Sequence, residues 1–156
     1  MEKKDVASEI NEMVELMQTL GERDVLPSSK MEIVMNDISK EEYYTFDLGN
    51  PWYTGQFVST IKNIAVKIND HNVDPEKVYF TLRGQRIQAE TANTFFELWW
   101  GMGELAQLQI KKDSIDQYIQ KTDNKLEITM GMRSAMSYGL PGNIIKYQFK
   151  NTMEVI

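Results

Sequence analysis

The feature that most constrains the fold is an alternation of apolar and polar residues toward the carboxyl-terminal end. Between Leu126 and Tyr138 almost every even-numbered position is apolar, and after "GLPGN" the alternation resumes from Ile145 to Phe149. Successive side chains of a strand point to opposite faces of a sheet, so the pattern predicts two strands that share one apolar face. We therefore predict a long hairpin near 126–150 whose apolar face is covered by other elements.

Two shorter stretches alternate in the same way. The segments "KMEIVMND" and "EEYYTFDLG" flank "DISK", which we interpret as a turn, so together they predict a hairpin near 30–48. The segment "VYFTLRG" sets Tyr79, Thr81 and Arg83 against apolar neighbours and predicts a short strand near 78–83 that ends at a glycine. The sequence therefore predicts five strands in all.

Apolar residues three and four positions apart predict helices elsewhere. The first predicted helix lies near 5–20, where acidic residues separate the apolar ones and Gly21 follows. The second lies near 51–69, since Asn50 and Pro51 are a capping residue and a first-turn proline. Both predicted helices are amphipathic, so they would cover the apolar face of a sheet.

The stretch "TFFELWWGMGELA" has the glycine spacing of a dinucleotide-binding loop, but it also fits a buried helix. Thr94 and Glu97 match a capping box, so a helix starting there would contain the aromatic residues. The acid about twenty residues on, Asp123, precedes a predicted strand, whereas the ribose-binding acid follows one. We predict a helix near 94–121 that is apolar nearly all round rather than a phosphate-binding loop.

These elements predict one α+β domain over 1–156, with a largely antiparallel sheet packed against three helices. No repeat or proline-rich and glycine-rich linker divides the 156 residues, which suffice for one core. The net charge of −6 is uneven. Residues 1–50 hold 5 Lys and Arg against 12 Asp and Glu, and residues 51–156 hold 12 against 11. The first third is therefore acidic and the remainder roughly neutral.

Several chemistries are excluded by composition and spacing. The chain has no cysteine, and its single histidine, His71, rules out metal sites with two histidine ligands. The calcium-loop resemblance of "DHNVDPE" fails because Pro75 and Thr81 occupy the glycine and glutamate places. The elbow-like "AMSYG" has no histidine after Ser137. We predict no cofactor and no metal, and we lean against an enzyme, although a site assembled only by folding stays open.

The location and the partners follow from apolar runs and charge. The longest apolar run is far shorter than the roughly 18 residues of a membrane span. Acids interrupt the amino-terminal apolar residues, so no secretory signal forms. We expect a cytoplasmic protein with no membrane partner. The acidic balance also argues against general binding of duplex nucleic acid.

Our leading hypothesis is a non-catalytic protein-interaction or assembly module that self-associates as a homo-oligomer, of the kind found among bacterial or phage accessory proteins. Its basis is apolar surface in two places, the predicted helix at 94–121 and the methionine-rich hairpin at 126–150. Flexible methionine side chains suit adaptable interfaces. The interface candidates are Phe96, Trp99, Trp100, Met132 and Met136.

The alternative is a binder of a small anion, a nucleotide or single-stranded nucleic acid. If the last hairpin turns about "LPGN", Arg133 lies directly opposite Lys150, with Lys146 on the same face. Like charges opposed across a pair of strands destabilise a sheet unless an anion lies over them. Nearby aromatic residues would be available for stacking on bases. The anion-binding candidates are therefore Arg133, Lys146 and Lys150.

Overall fold

Strands make up most of the residues that the computed structural model describes, which are 25–51, 55–133 and 144–156. Of these residues 54% are strand and 17% helical. The strands are β1 (Lys30–Met35), β2 (Glu42–Gly49), β3 (Gln56–Phe57), β4 (Ile61–Ile68), β5 (His71–Asn72), β6 (Val78–Leu82), β7 (Gln85–Gln88), β8 (Trp99–Trp100), β9 (Leu105–Lys111), β10 (Asn124–Met132) and β11 (Ile145–Val155). The prediction of an α+β fold with three helices is wrong.

Helical turns within the described ranges are short. The α-helix α1 (Lys112–Ile115) has four residues, and the 3-10 helices are Val58–Thr60, Pro75–Lys77, Ala89–Thr94 and Asp116–Tyr118. The helix predicted near 5–20 lies outside the described residues, so that prediction is not tested. The described chain is consequently a β structure whose helical segments span three to six residues.

Nine strands form one sheet in the order β5-β4-β10-β11-β1-β2-β9-β6-β7. Neighbouring strands are antiparallel except β1 and β11, which pair in parallel through Lys30 with Glu154 and Met31 with Val155. The sheet curls, and the 3-10 helix Ala89–Thr94 packs against both β4 and β6, which lie near opposite ends of the strand order. Strands β3 and β8 form a separate two-stranded ribbon.

The core lies on one face of this curled sheet. In β10, Leu126, Ile128 and Met130 are buried, while Glu127 and Thr129 between them are partly exposed. The antiparallel partner β11 buries alternate residues in the same manner. The alternation near 126–150 therefore marks paired strands, although residues 134–143 of the predicted hairpin lie outside the described part of the chain.

The described residues of the segment near 51–69 form β3, a 3-10 helix and β4 rather than an α-helix, and a bulge explains why β4 resembles a helix. Met132 is paired with Ile61, but Gly131 is paired with Asn63, so Lys62 is an extra residue in β4. The bulge puts Ile61 and Ile64 on the same buried face although they are three residues apart. That spacing is also the spacing of a helical stripe, so the helix prediction was wrong for a local geometric reason.

The segment near 94–121 is also not one helix, since β8 and β9 precede the short helix α1 within it. The hydroxyl of Thr94 donates to the carbonyl of Thr91 at 2.7 Å, at the end of a 3-10 helix rather than at the start of an α-helix. In β9, Ala106, Leu108 and Ile110 are buried in alternation with glutamines. This alternation of period two was present in the sequence, and the preceding aromatic run obscured it.

Candidate functional site

Five large apolar side chains are exposed around the β3–β8 ribbon. We name these residues the apolar surface: they are Phe57 (44% exposed), Phe96 (70%), Trp99 (45%), Met102 (66%) and Leu105 (49%). The rings of Phe57 and Trp99 meet edge to face with their centroids 5.0 Å apart. Phe57 and Trp99 are thus exposed apolar rings in contact with each other, and exposed apolar groups of this kind are typical of a binding surface.

A buried tryptophan, Trp100 of β8, anchors the β3–β8 ribbon to the core. Trp100 is fully buried and meets Phe80 edge to face at a centroid distance of 5.2 Å. Its indole N–H donates to the carbonyl of Glu104 at 2.8 Å, and the side-chain amide of Asn50 donates to the carbonyl of Trp100 at 3.1 Å. Alternation along β8 then directs Trp99 outward.

Gly55 leaves the space that the Trp99 indole occupies. A Cβ atom at this position would lie 2.5 Å from Cζ2 of Trp99, closer than any side chain tolerates. On the other side of the ribbon the backbone N–H of Val58 donates to the carbonyl of Leu98 at 2.8 Å. Trp99 is therefore held against the Gly55 backbone while its outer part stays exposed.

An ion pair fixes the loop between β8 and β9. The guanidinium of Arg83 pairs with the carboxylate of Glu104 and also donates to the carbonyl of Trp99 at 2.6 Å. The carboxylate accepts the backbone N–H of Gly101 at 2.9 Å. Hydrogen bonds from Arg83 and from Gly101 lower the pKa of the Glu104 carboxyl below its ordinary value. The turn itself uses Gly103, whose φ is +74°.

A polar and aromatic face lies on the outer side of β2, β9, β6 and β7. Antiparallel pairing sets Asp47, Gln107, Thr81 and Arg86 in one row across these strands. The next row on the same face holds Thr45, Gln109, Tyr79 and Gln88. We name these two rows together with Tyr43 the outer polar face. The alternation of Tyr79 and Thr81 was visible in the sequence, whereas their proximity to β2 depends on pairing that local patterns do not encode.

The interface candidates lie in different environments. Phe96 and Trp99 belong to the apolar surface, whereas Trp100 and Met132 are fully buried and cannot touch a partner without opening the core. Met136 lies outside the described residues. Phe57, which lies within the helix predicted near 51–69, is an exposed member of the apolar surface that the sequence did not select.

The anion-binding candidates do not form the predicted arrangement. Lys150 is paired with Glu127, and its Nζ lies 3.3 Å from Oε1 of that residue. Lys146 is paired with Gly131, and Arg133 lies beyond β10 with its backbone N–H donating to Thr60. The connection between β10 and β11 is longer than the assumed tight turn, which shifts the register. The predicted opposition of Arg133 and Lys150 is therefore wrong.

Charged groups also gather where β2 and β9 meet α1. Lys111 lies 2.9 Å from Glu41, and Lys112 lies 3.1 Å from Asp116. The hydroxyl of Tyr44 donates to Asp116 at 2.7 Å, and burial together with this bond raises the pKa of the tyrosine. These groups pair with one another, so the pairing explains the cluster without assigning it a catalytic role.

Among the residues that the structure describes, the remaining titratable groups are not arranged as a metal centre. The His71 ring stacks on Tyr118 with a centroid distance of 3.8 Å. Across the described ranges, no three His, Asp or Glu side chains come together as metal ligands would. In the same ranges no helix has the length and hydropathy needed to cross a bilayer.

The sequence comparisons place this β structure in a family of enzyme subunits. The family model described as C-glycoside deglycosidase beta subunit matches residues 22–136, which is more than half of the chain. The chain therefore belongs to the family of C-glycoside deglycosidase beta subunits. No curated protein matches the chain.

Membership in this family corrects the functional predictions. A beta subunit of a deglycosidase is part of an enzyme assembly, so the prediction of a non-catalytic assembly module or phage accessory protein is wrong. The alternative of an anion or nucleotide binder is not favoured either. A beta subunit associates with another subunit, so the expectation of a protein partner is confirmed in that general form. Self-association is not shown.

Proposed function

We propose that this chain is the beta subunit of a C-glycoside deglycosidase and binds an unlike subunit through the apolar surface. Such an enzyme separates a sugar from an aglycone to which it is joined by a carbon–carbon bond. The family match over residues 22–136 supports the assignment to this enzyme class. The exposed pair Phe57 and Trp99 supports the position of the interface, because aromatic side chains are enriched at the centres of binding surfaces.

The interface is proposed to be preformed in the free subunit. The Arg83–Glu104 ion pair, the buried Trp100 and the Gly55 backbone hold Trp99 in place before any partner arrives. A side chain that is already ordered loses little rotamer entropy on binding, which favours affinity. The Cα atoms of β3, β8 and the following turn are therefore expected to move little when the complex forms.

The first test asks whether two unlike subunits are needed for cleavage. The tagged chain is used to isolate its bound protein from the cells that produce it, and both proteins are then made separately. We expect cleavage of an aromatic C-glycoside by the mixture at a rate at least tenfold above the summed rates of the separate subunits. A mixture that forms no complex, or forms one without raising cleavage, contradicts the proposal.

The second test locates the interface with matched variants. Trp99→Glu places a charge in the proposed contact and should weaken binding by about 2 kcal/mol or more, which is about 30-fold in Kd. The control is Ile38→Glu, because Ile38 is 95% exposed in the turn between β1 and β2, outside the apolar surface. Isothermal titration of the partner measures both. Equal affinities of the two variants would place the interface elsewhere.

A further inference from the structure

A single arginine lies between two tyrosine rings on the outer polar face. The Cζ atom of Arg86 is 4.1 Å from the centre of the Tyr43 ring and 3.9 Å from the centre of the Tyr79 ring. The two rings meet edge to face with centroids 5.7 Å apart. These residues come from β7, β2 and β6, so the fold alone brings them together. Contact with both rings fixes the position of the guanidinium group.

One edge of this guanidinium has no hydrogen-bond partner. The Nε and Nη2 atoms of Arg86 are buried and unpaired, as are the hydroxyls of Thr45 and Thr81. Nε and Nη2 lie on the same side of the group, and that edge binds a carboxylate through two parallel N–H···O bonds. A buried donor left unpaired is costly, so the edge has the geometry of a site awaiting an acceptor.

The described chain supplies no acid to that edge. The nearby carboxylate of Glu41 accepts from Tyr43 at 2.9 Å and pairs with Lys111 at 2.9 Å. No ion pair involves Arg86 within the described ranges. Thr81 lies directly opposite Arg86 in the β6–β7 register and sets an unpaired hydroxyl beside the guanidinium. The Nε and Nη2 edge of Arg86 therefore has no acidic hydrogen-bond partner among the described residues, although the Glu41 carboxylate is near enough to interact with Arg86 electrostatically.

The outer polar face continues into the apolar surface. Leu105, Gln107 and Gln109 are successive outward positions of β9, and the first of them belongs to the apolar surface. Gln88 and Gln107, which pair with Tyr79 and Thr81 in the register, are exposed. A partner seated on the apolar surface would therefore extend along one continuous face toward the strand that carries Arg86.

We propose that the Nε and Nη2 edge of Arg86 receives the carboxylate of an aspartate or glutamate of the unlike subunit. This inference rests on the proposed function, since it needs the partner that the family match implies. An acidic side chain provides the planar, bidentate acceptor that the free edge matches, and the hydroxyl of Thr81 provides a further donor. The pairing sets the orientation of the partner, while the apolar surface provides contact area.

The decisive variants separate charge from hydrogen-bond geometry. Arg86→Lys keeps the charge but loses the two-pronged edge, and Arg86→Gln loses both. The matched control is Lys150→Gln, which removes an exposed cation from the other half of the sheet. In titrations with the separately purified unlike subunit, we expect Kd to rise at least tenfold for each Arg86 variant and less than twofold for the control.

The free chain provides a readout that a merely structural role would not show. Because Arg86 carries unpaired buried donors in the isolated subunit, its loss should leave the Tm unchanged or raise it while affinity falls. A second series replaces each Asp and Glu of the unlike subunit by its amide. For one of these partner variants, the affinity for the Arg86→Lys chain should be no lower than its affinity for the wild-type chain, because the two changes remove the same interaction.

The outcomes distinguish this inference from the proposed function. If the wild-type chain binds the unlike subunit and Arg86→Lys binds equally well, the inference is overturned and the proposed function stands. If the wild-type chain does not bind, both are overturned. If acetate raises the Tm of the wild type saturably, but not that of Arg86→Lys, and no acidic variant of the partner couples to Arg86, the site takes free carboxylates and the assignment to the partner is wrong.

Discussion

The two halves of the curled sheet place cations on their outer faces in opposite ways. On the β10–β11 half, Lys150 is 61% exposed and pairs with Glu127 on the neighbouring strand. On the β2–β9–β6–β7 half, Arg86 is held between two aromatic rings and its side-on edge has no partner. An exposed pair is complete in the isolated chain and contributes little to stability. The two buried donors of Arg86 lack an acceptor in the described chain, and for this reason we propose the second half as the recognition side.

The largest predicted effect on stability comes from replacing Trp100, the buried residue that supports the recognition side. Trp100→Ala should lower the free energy of unfolding by about 3–5 kcal/mol, because a fully buried aromatic ring leaves a cavity. Its neighbour is the control, and Trp99→Ala should cost about 1 kcal/mol, because its ring is only half covered. Denaturant unfolding measures both, and similar losses for the two would show that the neighbours do not differ as core and surface.

The β10–β11 half contains a close contact between Gly131 and Asn63. Crowding this contact tests whether this half is only a solvated surface. A Cβ atom on Gly131 would lie 2.6 Å from Oδ1 of Asn63, the atom that accepts the Gly131 backbone N–H at 2.9 Å. Gly131→Ala should therefore lower the free energy of unfolding by about 1–3 kcal/mol.

The control for that prediction is the residue on the other side of the contact. Asn63→Ala alone should cost about 1 kcal/mol for the lost hydrogen bond. The double variant should be more stable than the sum of the two single losses predicts, because alanine at 63 leaves room for the new methyl group. Purely additive losses in denaturant unfolding would mean that the two residues do not crowd each other.

The smallest predicted effect is a pH dependence of the loop that carries Trp99. The pKa of Glu104 is lowered in the folded chain from its ordinary value of 4.5. The unfolded chain therefore takes up the proton first as the pH falls, and the stabilisation is present above pH 4.5 and lost as the pH falls through the lowered value. Glu104→Gln should then have a lower Tm than the wild type at pH 7, and this difference should shrink as the pH falls below 4.5.

Glu97→Gln is the matched control for the pH experiment, since Glu97 is an exposed acid in the preceding segment. Its Tm should follow that of the wild type at each pH. A constant difference between Glu104→Gln and the wild type from pH 7 to pH 3 would contradict the role assigned to the ion pair with Arg83.

Period-two alternation identified strands where the sheet is regular, as in β6 and in the paired strands β10 and β11. It failed where the sheet is irregular. The extra residue Lys62 moved the buried face of β4 by one position and imitated helical spacing. A pattern read over eight residues cannot distinguish a bulged strand from two turns of helix.

The candidate site was only partly accessible to sequence reasoning. Phe96 and Trp99 were selected because they are large and apolar, but the same argument selected Trp100, which alternation in β8 directs into the core. The environment of Arg86 was not accessible, because it depends on the order in which β2, β9 and β6 pair. The register that separates Arg133 from Lys150 was inaccessible for the same reason, since it depends on the length of a connection.

The parallel pairing of β1 with β11 determines the order in which the two halves of the sheet can form during synthesis. Strands β1, β2, β9, β6 and β7 are all present once residue 111 has left the ribosome, whereas β10 and β11 follow later. Within the described strand order, the two halves of the sheet meet at the ladder that pairs Lys30 and Met31 with residues 154 and 155. The apolar surface and Arg86 therefore belong entirely to the part of the chain that is translated first, and the final strand joins the two halves of the sheet after it.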